Sequence, residues 1–312
     1  MRQRLLLVLA IAAGVTGCCF PASAADKKII LIAGKQSHGP GEHEFRAGCL
    51  LLHRCLDKVP GIVSEVYSNG WPGQDHAFDG ADAILIYADG GAGHPALQNE
   101  HGKVLEALIK KGVGLGCAHF AVELPKDNGG PEFLEWLGGY YEHEFSVNPI
   151  WTPLFTAFPD HPITRGLRPF SVRDEWYFNI RFRPQAKAND ASIEGAASAR
   201  QNGLLPILVA KPSDAIRNGP YVAPRGPYPH IIAARGRDET MMWAYQRPAG
   251  RSFGFTGGHF HVNWGNENFR KAVLNALVWI ANAEVPPGGI QSSVSAEELM
   301  ANLDPKGIKK AK

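Results

Sequence analysis

The sequence predicts a doubly wound α/β fold, a mostly parallel sheet flanked by helices, with β-rich additions in the second half. Three observations carry this expectation. Short continuous apolar runs recur at Lys28 to Ala33, Ile62 to Tyr67, Ala83 to Tyr87 and Val113 to Gly116, and runs without polar alternation are how strands covered on both faces read. Helical patterns separate them in a strand, helix, strand, strand, helix, strand rhythm, which right-handed crossovers convert into parallel pairing. Finally, His38, His94 and His119 fall just past strand ends, where sheets of this kind bind ligands.

Composition bounds the rest. A chain of 312 residues, 45% hydrophobic and 20% charged, can bury a sizeable core as one domain. The net charge is +2 with dispersed basic residues, so no footprint for nucleic acid is present. The reading divides the chain into a targeting segment at 1–25, an α/β domain at 26–284 and a polar, mobile tail at 285–312. Arg2 and Arg4 precede an apolar run from Leu5 to Val15, too short to span a bilayer and laid out as an export signal. Two endings compete: Val15-Thr16-Gly17-Cys18 resembles a bacterial lipoprotein box, and Ala22-Ser23-Ala24 is a small-x-small cleavage site. The expected location is therefore periplasmic, or membrane-anchored through a lipid on Cys18.

Taken in order, the first strand opens into the polar loop Gly34 to His43, and a helix is expected from about Glu42 to Leu56. Cys49 and Cys55, six residues apart on that helix, would sit about 9 Å apart along its axis, beyond disulfide reach. The strand ending at Tyr87 runs into Asp89 and Gly90, and Pro95 starts the next helix, which ends at Lys110-Lys111-Gly112. Gly91-x-Gly93-x-x-Ala96 superficially matches a dinucleotide fingerprint. It follows the third strand rather than the first and lacks the later acidic partner, so no nucleotide cofactor is expected.

The next stretch, Gly112-Val113-Gly114-Leu115-Gly116-Cys117-Ala118-His119-Phe120-Ala121, is written as a sharp strand-to-helix elbow. Such a turn tolerates only small residues two places either side of the one it lifts out. Around Cys117 those neighbours are Leu115 and His119; around His119 they are Cys117 and Ala121. The elbow therefore presents His119. Beyond it come a short helix at Pro131 to Leu137 and strand patterns at Ile150 to Phe155, Glu175 to Phe182, Leu204 to Ala210, His230 to Ala234, Met241 to Tyr245 and Ser252 to Thr256. Asn266 to Ala281, with Phe269, Val273, Leu277 and Ile280 at helical spacing, reads as an amphipathic closing helix.

Five pieces in order make a resemblance: the elbow Gly-Cys-Ala-His-Phe-Ala; Leu137 to Tyr141 followed by His143; Asp160-His161-Pro162-Ile163-Thr164-Arg165-Gly166-Leu167; Asp174-Glu175-Trp176-Tyr177-Phe178; and Gly250-Arg251-Ser252-Phe253 leading to Gly257-Gly258-His259. Over about residues 27 to 283 the chain resembles the ThuA-like (trehalose utilisation) family. The resemblance implies a class I glutamine amidotransferase-like fold with histidine at the elbow, and a link to carbohydrate metabolism, notably disaccharides oxidised to 3-keto sugars. The chain departs from the family pattern at Phe120-Ala121-Val122-Glu123.

The chemistry can be read from the residues as well. A thiol amidotransferase needs its nucleophile on the elbow with a base in reach; Cys117 sits two positions early. His259 and His261 follow a strand, and alternate side chains of extended chain share a face. With His119 and His143 they form the expected ligand set for a divalent metal, zinc or similar. His119, Glu175 and His259 are the expected catalytic residues. His38, Tyr141, Trp176, Tyr177 and Asp174 are the expected sugar-binding residues, the aromatics by stacking and Asp174 by capping nearby backbone. Protons beside a keto-sugar carbonyl are acidified, so elimination, isomerisation or hydrolysis follows as the expected chemistry. The alternative is a non-catalytic sugar-binding subunit serving a sugar oxidoreductase, and a third reading is a hydrolase using Cys117.

Overall fold

The computed structural model describes residues 26–74, 76–183 and 203–307. The expected targeting segment at 1–25 lies outside the described residues. Among those described, no helix is long and apolar enough to cross a membrane.

Strands β1 (Lys27–Ala33), β2 (Ile62–Tyr67), β3 (Ala81–Tyr87) and β4 (Gly114–Ala118) alternate with helices α1 (Phe45–Leu56) and α2 (His101–Lys110). The seven-stranded sheet is completed by β11 (Leu204–Ala210), β12 (Glu239–Gln246) and β13 (Arg251–Phe255). Its order is β11-β12-β13-β4-β3-β1-β2. The five strands from β13 to β2 are mutually parallel, while β12 and β11 add an antiparallel edge. Both faces are covered. On β1, Ile29, Leu31 and Ala33 enter one core layer and Ile30 and Ile32 the other, and β3 divides Leu85 and Tyr87 from Ile84 and Ile86 in the same way. That is why these strands lack polar alternation.

The chain between β4 and β11 holds α3 (Gly130–Trp136) and six two-residue strands: β5 (Gly139–Tyr140), β6 (Ile150–Trp151), β7 (Leu154–Phe155), β8 (Phe170–Ser171), β9 (Asp174–Glu175) and β10 (Arg181–Phe182). These pair antiparallel as β5 with β10, β6 with β9 and β7 with β8. The continuous strands expected at Ile150 to Phe155 and Glu175 to Phe182 are thus each broken. Pro153 lacks the N–H a ladder needs, and Asn179 takes a left-handed φ of 55°, held by its amide donating to the Phe145 carbonyl. His230 to Ala234, expected as a strand, lies in a helix instead. Two short helices, α4 (Asp214–Arg217) and α5 (Pro229–Ala233), follow β11; Pro229 at the first helical position favours the start, and short apolar runs do not declare their period.

Helix α6 (Glu267–Ile280) is capped by the Asn266 side chain, which accepts from the N–H groups of Asn268 and Phe269. It was expected to be amphipathic, yet every residue from Phe269 to Ile280 is buried. The C-terminal segment explains this. Residues 285–307, expected as a mobile tail, pack over α6: Val285 and Ile290 are buried, and helix α7 (Ala296–Met300) opens on a capping box between Ser295 and Glu298. The polar face of α6 is satisfied by that segment. Arg270 donates to Ser292 Oγ at 2.8 Å and to the Ser292 carbonyl at 3.0 Å. Asn275 donates to the carbonyls of Ile163 and Arg165, each at 2.9 Å, and accepts the Ile290 N–H at 2.7 Å. Asn275→Ala would strand three buried backbone groups, so urea unfolding is expected to show a loss of about 3 kcal/mol; a loss below about 0.5 kcal/mol would mean that the segment does not depend on this side chain.

Candidate functional site

Four parallel strands deliver side chains to one point beyond their carboxyl ends. The loop after β1 carries His38 and His43, Asp89 follows β3, His119 follows β4, and His259 follows β13. Glu175 reaches the same point from β9. His119 begins a single 3-10 turn, His119–Val122, rather than the expected helix, because Glu123 returns to extended backbone and bridges to Tyr141.

The elbow is strained by design. His119 has a φ of 54°, and His38 and His43 are left-handed too, at 57° and 46°. A non-glycine residue held there costs on the order of 1–3 kcal/mol and persists only where its surroundings fix it. His119 is fixed by its ring Nδ1–H, which donates to the Thr256 carbonyl at 3.0 Å. Gly90 also matters, since a Cβ there would lie 2.0 Å from the Phe120 carbonyl oxygen and push the elbow away. His94, expected near the site, pins the elbow from beneath. Its Nε2–H donates to the Ala121 carbonyl and its Nδ1 accepts the Ala96 N–H, each at 3.1 Å.

Three imidazoles and a carboxylate converge. His43 Nε2 lies 3.0 Å from both His119 Nε2 and His259 Nδ1. Glu175 Oε2 lies 3.0 Å from His259 Nδ1 and 3.4 Å from His119 Nε2. These four ligand atoms all fall within 4.8 Å of one another, and all four residues are buried. Each ring's far nitrogen faces an acceptor: Thr256 carbonyl for His119, Asp89 Oδ1 at 3.1 Å for His43, and Glu42 Oε1 at 3.7 Å for His259. An imidazole that gives its only proton outward presents a lone pair inward. His43 and His119 then point lone pairs at each other across 3.0 Å, an arrangement that a cation between them relieves. Outward acceptors of this sort are what orient metal-bound histidines.

Burial holds the His43 imidazole far below its ordinary pKa, and the neighbouring His119 adds to this. Burial opposes charge on His259 as well, but the Glu175 carboxylate outweighs it and raises the pKa. For Glu175 burial works upward, yet the close approach of His119 and His259 to its carboxylate brings it down to about 2. Its second oxygen accepts from Asn148 Nδ2 at 3.0 Å.

Of the expected site residues, His119, Glu175, His259 and Tyr177 meet here; the Tyr177 hydroxyl lies 3.2 Å from His119 Nε2. His38 stands at the mouth, its ring centroid 3.5 Å from that of His43. Asp174 acts as a backbone clamp, accepting the N–H groups of Gly258, His259 and Phe260 at 2.7, 3.1 and 3.2 Å. With the Glu175 N–H also donating to it at 2.9 Å, both of its oxygens are engaged by backbone. The remaining expectations are corrected. His143 is exposed, with Glu123 3.8 Å away, and stands outside the cluster. His261 turns away, its Nε2 bonded to the Leu299 carbonyl at 2.7 Å, because it opens a 3-10 turn rather than extending the strand. Trp176 offers no stacking face, since its fully buried ring packs against Phe155, Phe255 and Phe269. Tyr141 is likewise fully buried, stacked beside Tyr177 with centroids 5.0 Å apart. Cys117 is inaccessible inside β4, and burial pushes its thiol pKa up, so the thiol-hydrolase reading fails.

His43 was missed because the expected helix was drawn over it; α1 begins only at Phe45. The C-terminal segment holds its backbone. Lys306 donates to the carbonyls of Glu42 and His43 and pairs with Glu44 at 3.3 Å, both side chains nearly inaccessible.

The ThuA family model, described as trehalose utilisation, matches residues 72–280. No curated relative matches the chain. Among solved structures, a ThuA-like protein from Bacteroides uniformis aligns with a TM-score of 0.56 at 16% identity, covering 84% of this chain and 95% of that one. A ThuA-like protein from Parabacteroides merdae aligns with a TM-score of 0.54 at 15% identity, covering 87% and 94%. Both likenesses show the shared α/β fold.

One expected outcome concerns the pin beneath the elbow. Burial lowers the His94 pKa to about 4. Below about pH 6.5 the unfolded chain takes up a proton that the folded chain refuses, so stability falls as pH drops from 6.5 to about 4, by about 3 kcal/mol. Unfolding at pH 7 and pH 4 should show this slope flattened in His94→Gln; identical slopes would contradict it.

Proposed function

The chain belongs to the ThuA (trehalose utilisation) family, one of carbohydrate metabolism, and from that premise we propose that it is an enzyme processing oxidised, 3-keto glycosides or disaccharides at a single divalent metal ion held by His43, His119, Glu175 and His259. What supports the metal is that His43 Nε2 and His119 Nε2 face each other 3.0 Å apart while each ring's far nitrogen has an acceptor beside it, so that rings donating outward meet lone pair to lone pair. Three imidazoles and one carboxylate suit zinc or a similar ion. Bound there, the ion would supply a Lewis acid for a carbonyl or hydroxyl oxygen.

The chain's own groups do the rest. His119 was expected as the base, but its buried ring has Nδ1 committed to Thr256 and Nε2 turned into the cluster, which suits a ligand. His38 takes the proton-handling role in this reading. Partly exposed beside the cluster, it can take a proton from the carbon next to a sugar carbonyl and return it elsewhere, the step common to elimination and isomerisation. Tyr177, buried against His119, orients that ring and keeps water from it. Asp89 sets the direction of His43, and Ser37 donates to Asp89 at 2.9 Å to fix it in turn. Export through the N-terminal segment, to the periplasm or onto a lipid anchor at Cys18, belongs to the same proposal, as does a sugar oxidoreductase supplying the keto substrate.

Metal content of the purified protein tests it. Near-stoichiometric zinc or a similar ion is expected in the wild type, lost in His43→Ala and His259→Ala and kept in His143→Ala and His261→Ala. Asp89→Asn should weaken metal affinity about 10–100-fold. Turnover of a 3-keto glycoside should vanish with the metal. No metal after addition of zinc, manganese or nickel would overturn the proposal and favour a sugar-binding subunit without chemistry of its own.

A further inference from the structure

An open apolar groove lies directly beside the histidine cluster. It has a volume of about 250 Å³ and is walled by Pro40, Glu42, Phe260, Val262, Met300 and Leu303. Val262 is 63% exposed and Met300 59%, so two large apolar side chains on its rim stand open to water. Apolar surface in water costs free energy in proportion to its area, and where it gathers in a concavity next to polar groups it marks a ligand groove.

Groove and cluster share one backbone frame. The His43 N–H donates to the His259 carbonyl and the His261 N–H to the Gly41 carbonyl, each at 2.9 Å, with Glu42 bridged to Phe260 between them. The two segments that present His43 and His259 to the cluster therefore also supply two walls of the groove. Those walls touch the cluster. Glu42 Oε1 lies 3.7 Å from His259 Nε2, and the Phe260 ring centroid lies 4.6 Å from that of His259. The opposite wall comes from the C-terminal segment. His261 Nε2–H donates to the Leu299 carbonyl at 2.7 Å, next to Met300, and Glu44 accepts the Asp304 N–H at 2.8 Å, next to Leu303.

We propose that this groove is an aglycone subsite, which receives one uncharged aromatic ring joined to a sugar held at the histidine cluster. This rests on the reading of that cluster as a sugar-processing centre and names the kind of glycoside it takes. Size sets the first limit. An apolar cavity of about 150 Å³ already admits benzene, so about 250 Å³ accommodates a substituted ring and excludes a helix of a partner protein. Position sets the second, since walls in contact with His259 are reached from a sugar at the cluster through the glycosidic bond alone. Chemistry sets the third. No lysine or arginine lines the groove and a carboxyl group stands on its rim, so an anionic aglycone finds no counter-charge. The hydroxyls of a second sugar would meet Phe260, Val262, Met300 and Leu303 and lose their hydrogen bonds to water.

Phenyl α-glucoside and methyl α-glucoside test this, because they differ only in the aglycone and neither carries the keto group. In full-length, zinc-loaded protein isotope-labelled at the methionine methyl groups, phenyl α-glucoside is expected to shift the Met300 signal, identified by its loss in Met300→Leu. Methyl α-glucoside should leave it in place, and the buried Met241 and Met242 should stay unmoved by both. Calorimetry is expected to show the phenyl compound binding about 10-fold more tightly. Val262→Ser and Met300→Ser, both at exposed positions, should each reduce that preference about 3-fold while affinity for methyl α-glucoside and metal content stay as in the wild type. Equal affinity for the two glucosides, an unmoved Met300, or a preference untouched in both variants would overturn the subsite. If the protein takes up no zinc and Met300 still answers phenyl α-glucoside, the metal reading falls and the subsite stands; zinc in place with Met300 unmoved is the reverse result.

Discussion

Two imidazole nitrogens facing each other across 3.0 Å, with an acceptor at each ring's far nitrogen to draw its proton outward, form the interaction on which the site depends. Left alone, such a pair repels. The fold nevertheless spends strain to bring it about, holding His43 and His119 in left-handed backbone at the ends of two parallel strands. Strain of that kind survives where neighbours over-determine it, and here they do. Thr256 fixes one ring and Asp89 the other, His94 and Gly90 fix the elbow, and Lys306 fixes the His43 backbone. The third imidazole depends on Asp174, whose single carboxylate gathers three successive N–H groups at 258–260.

This support comes from distant parts of the chain. The parallel sheet supplies four strand ends at its carboxyl edge, the inserted strands between β4 and β11 supply Glu175 and its clamp, and the C-terminal segment closes the His43 loop. The last of these also determines how α6 is built. A helix between the sheet and a packed segment needs polar side chains that bond to that segment, so Arg270 and Asn275 sit buried in it.

The parallel half of the fold was legible because its signal is local: apolar runs of strand length, helices between them, and small residues around His119. Glu175 and His259 were found for a related reason, lying in short motifs next to strand patterns. His43 was not, since nothing in Glu42-His43-Glu44 distinguishes a left-handed loop residue from the first turn of a helix, and the nearer His38 took its place. His143 and His261 were wrongly included because extended alternation was assumed where the chain turns. Trp176 was misplaced because an aromatic residue beside a candidate glutamate reads the same whether it faces a sugar or the core. The packed C-terminal segment could not be seen at all, its burial arising from partners some 260 residues away in sequence, as for Lys306 and Glu42.

Anomalous scattering at the zinc edge from crystals of the zinc-loaded protein tests the central claim most directly. The expected result is one strong peak bonded to His43 Nε2, His119 Nε2, His259 Nδ1 and Glu175 Oε2. A peak on His143 or His261 instead, or no peak at the cluster in fully loaded crystals, would contradict it.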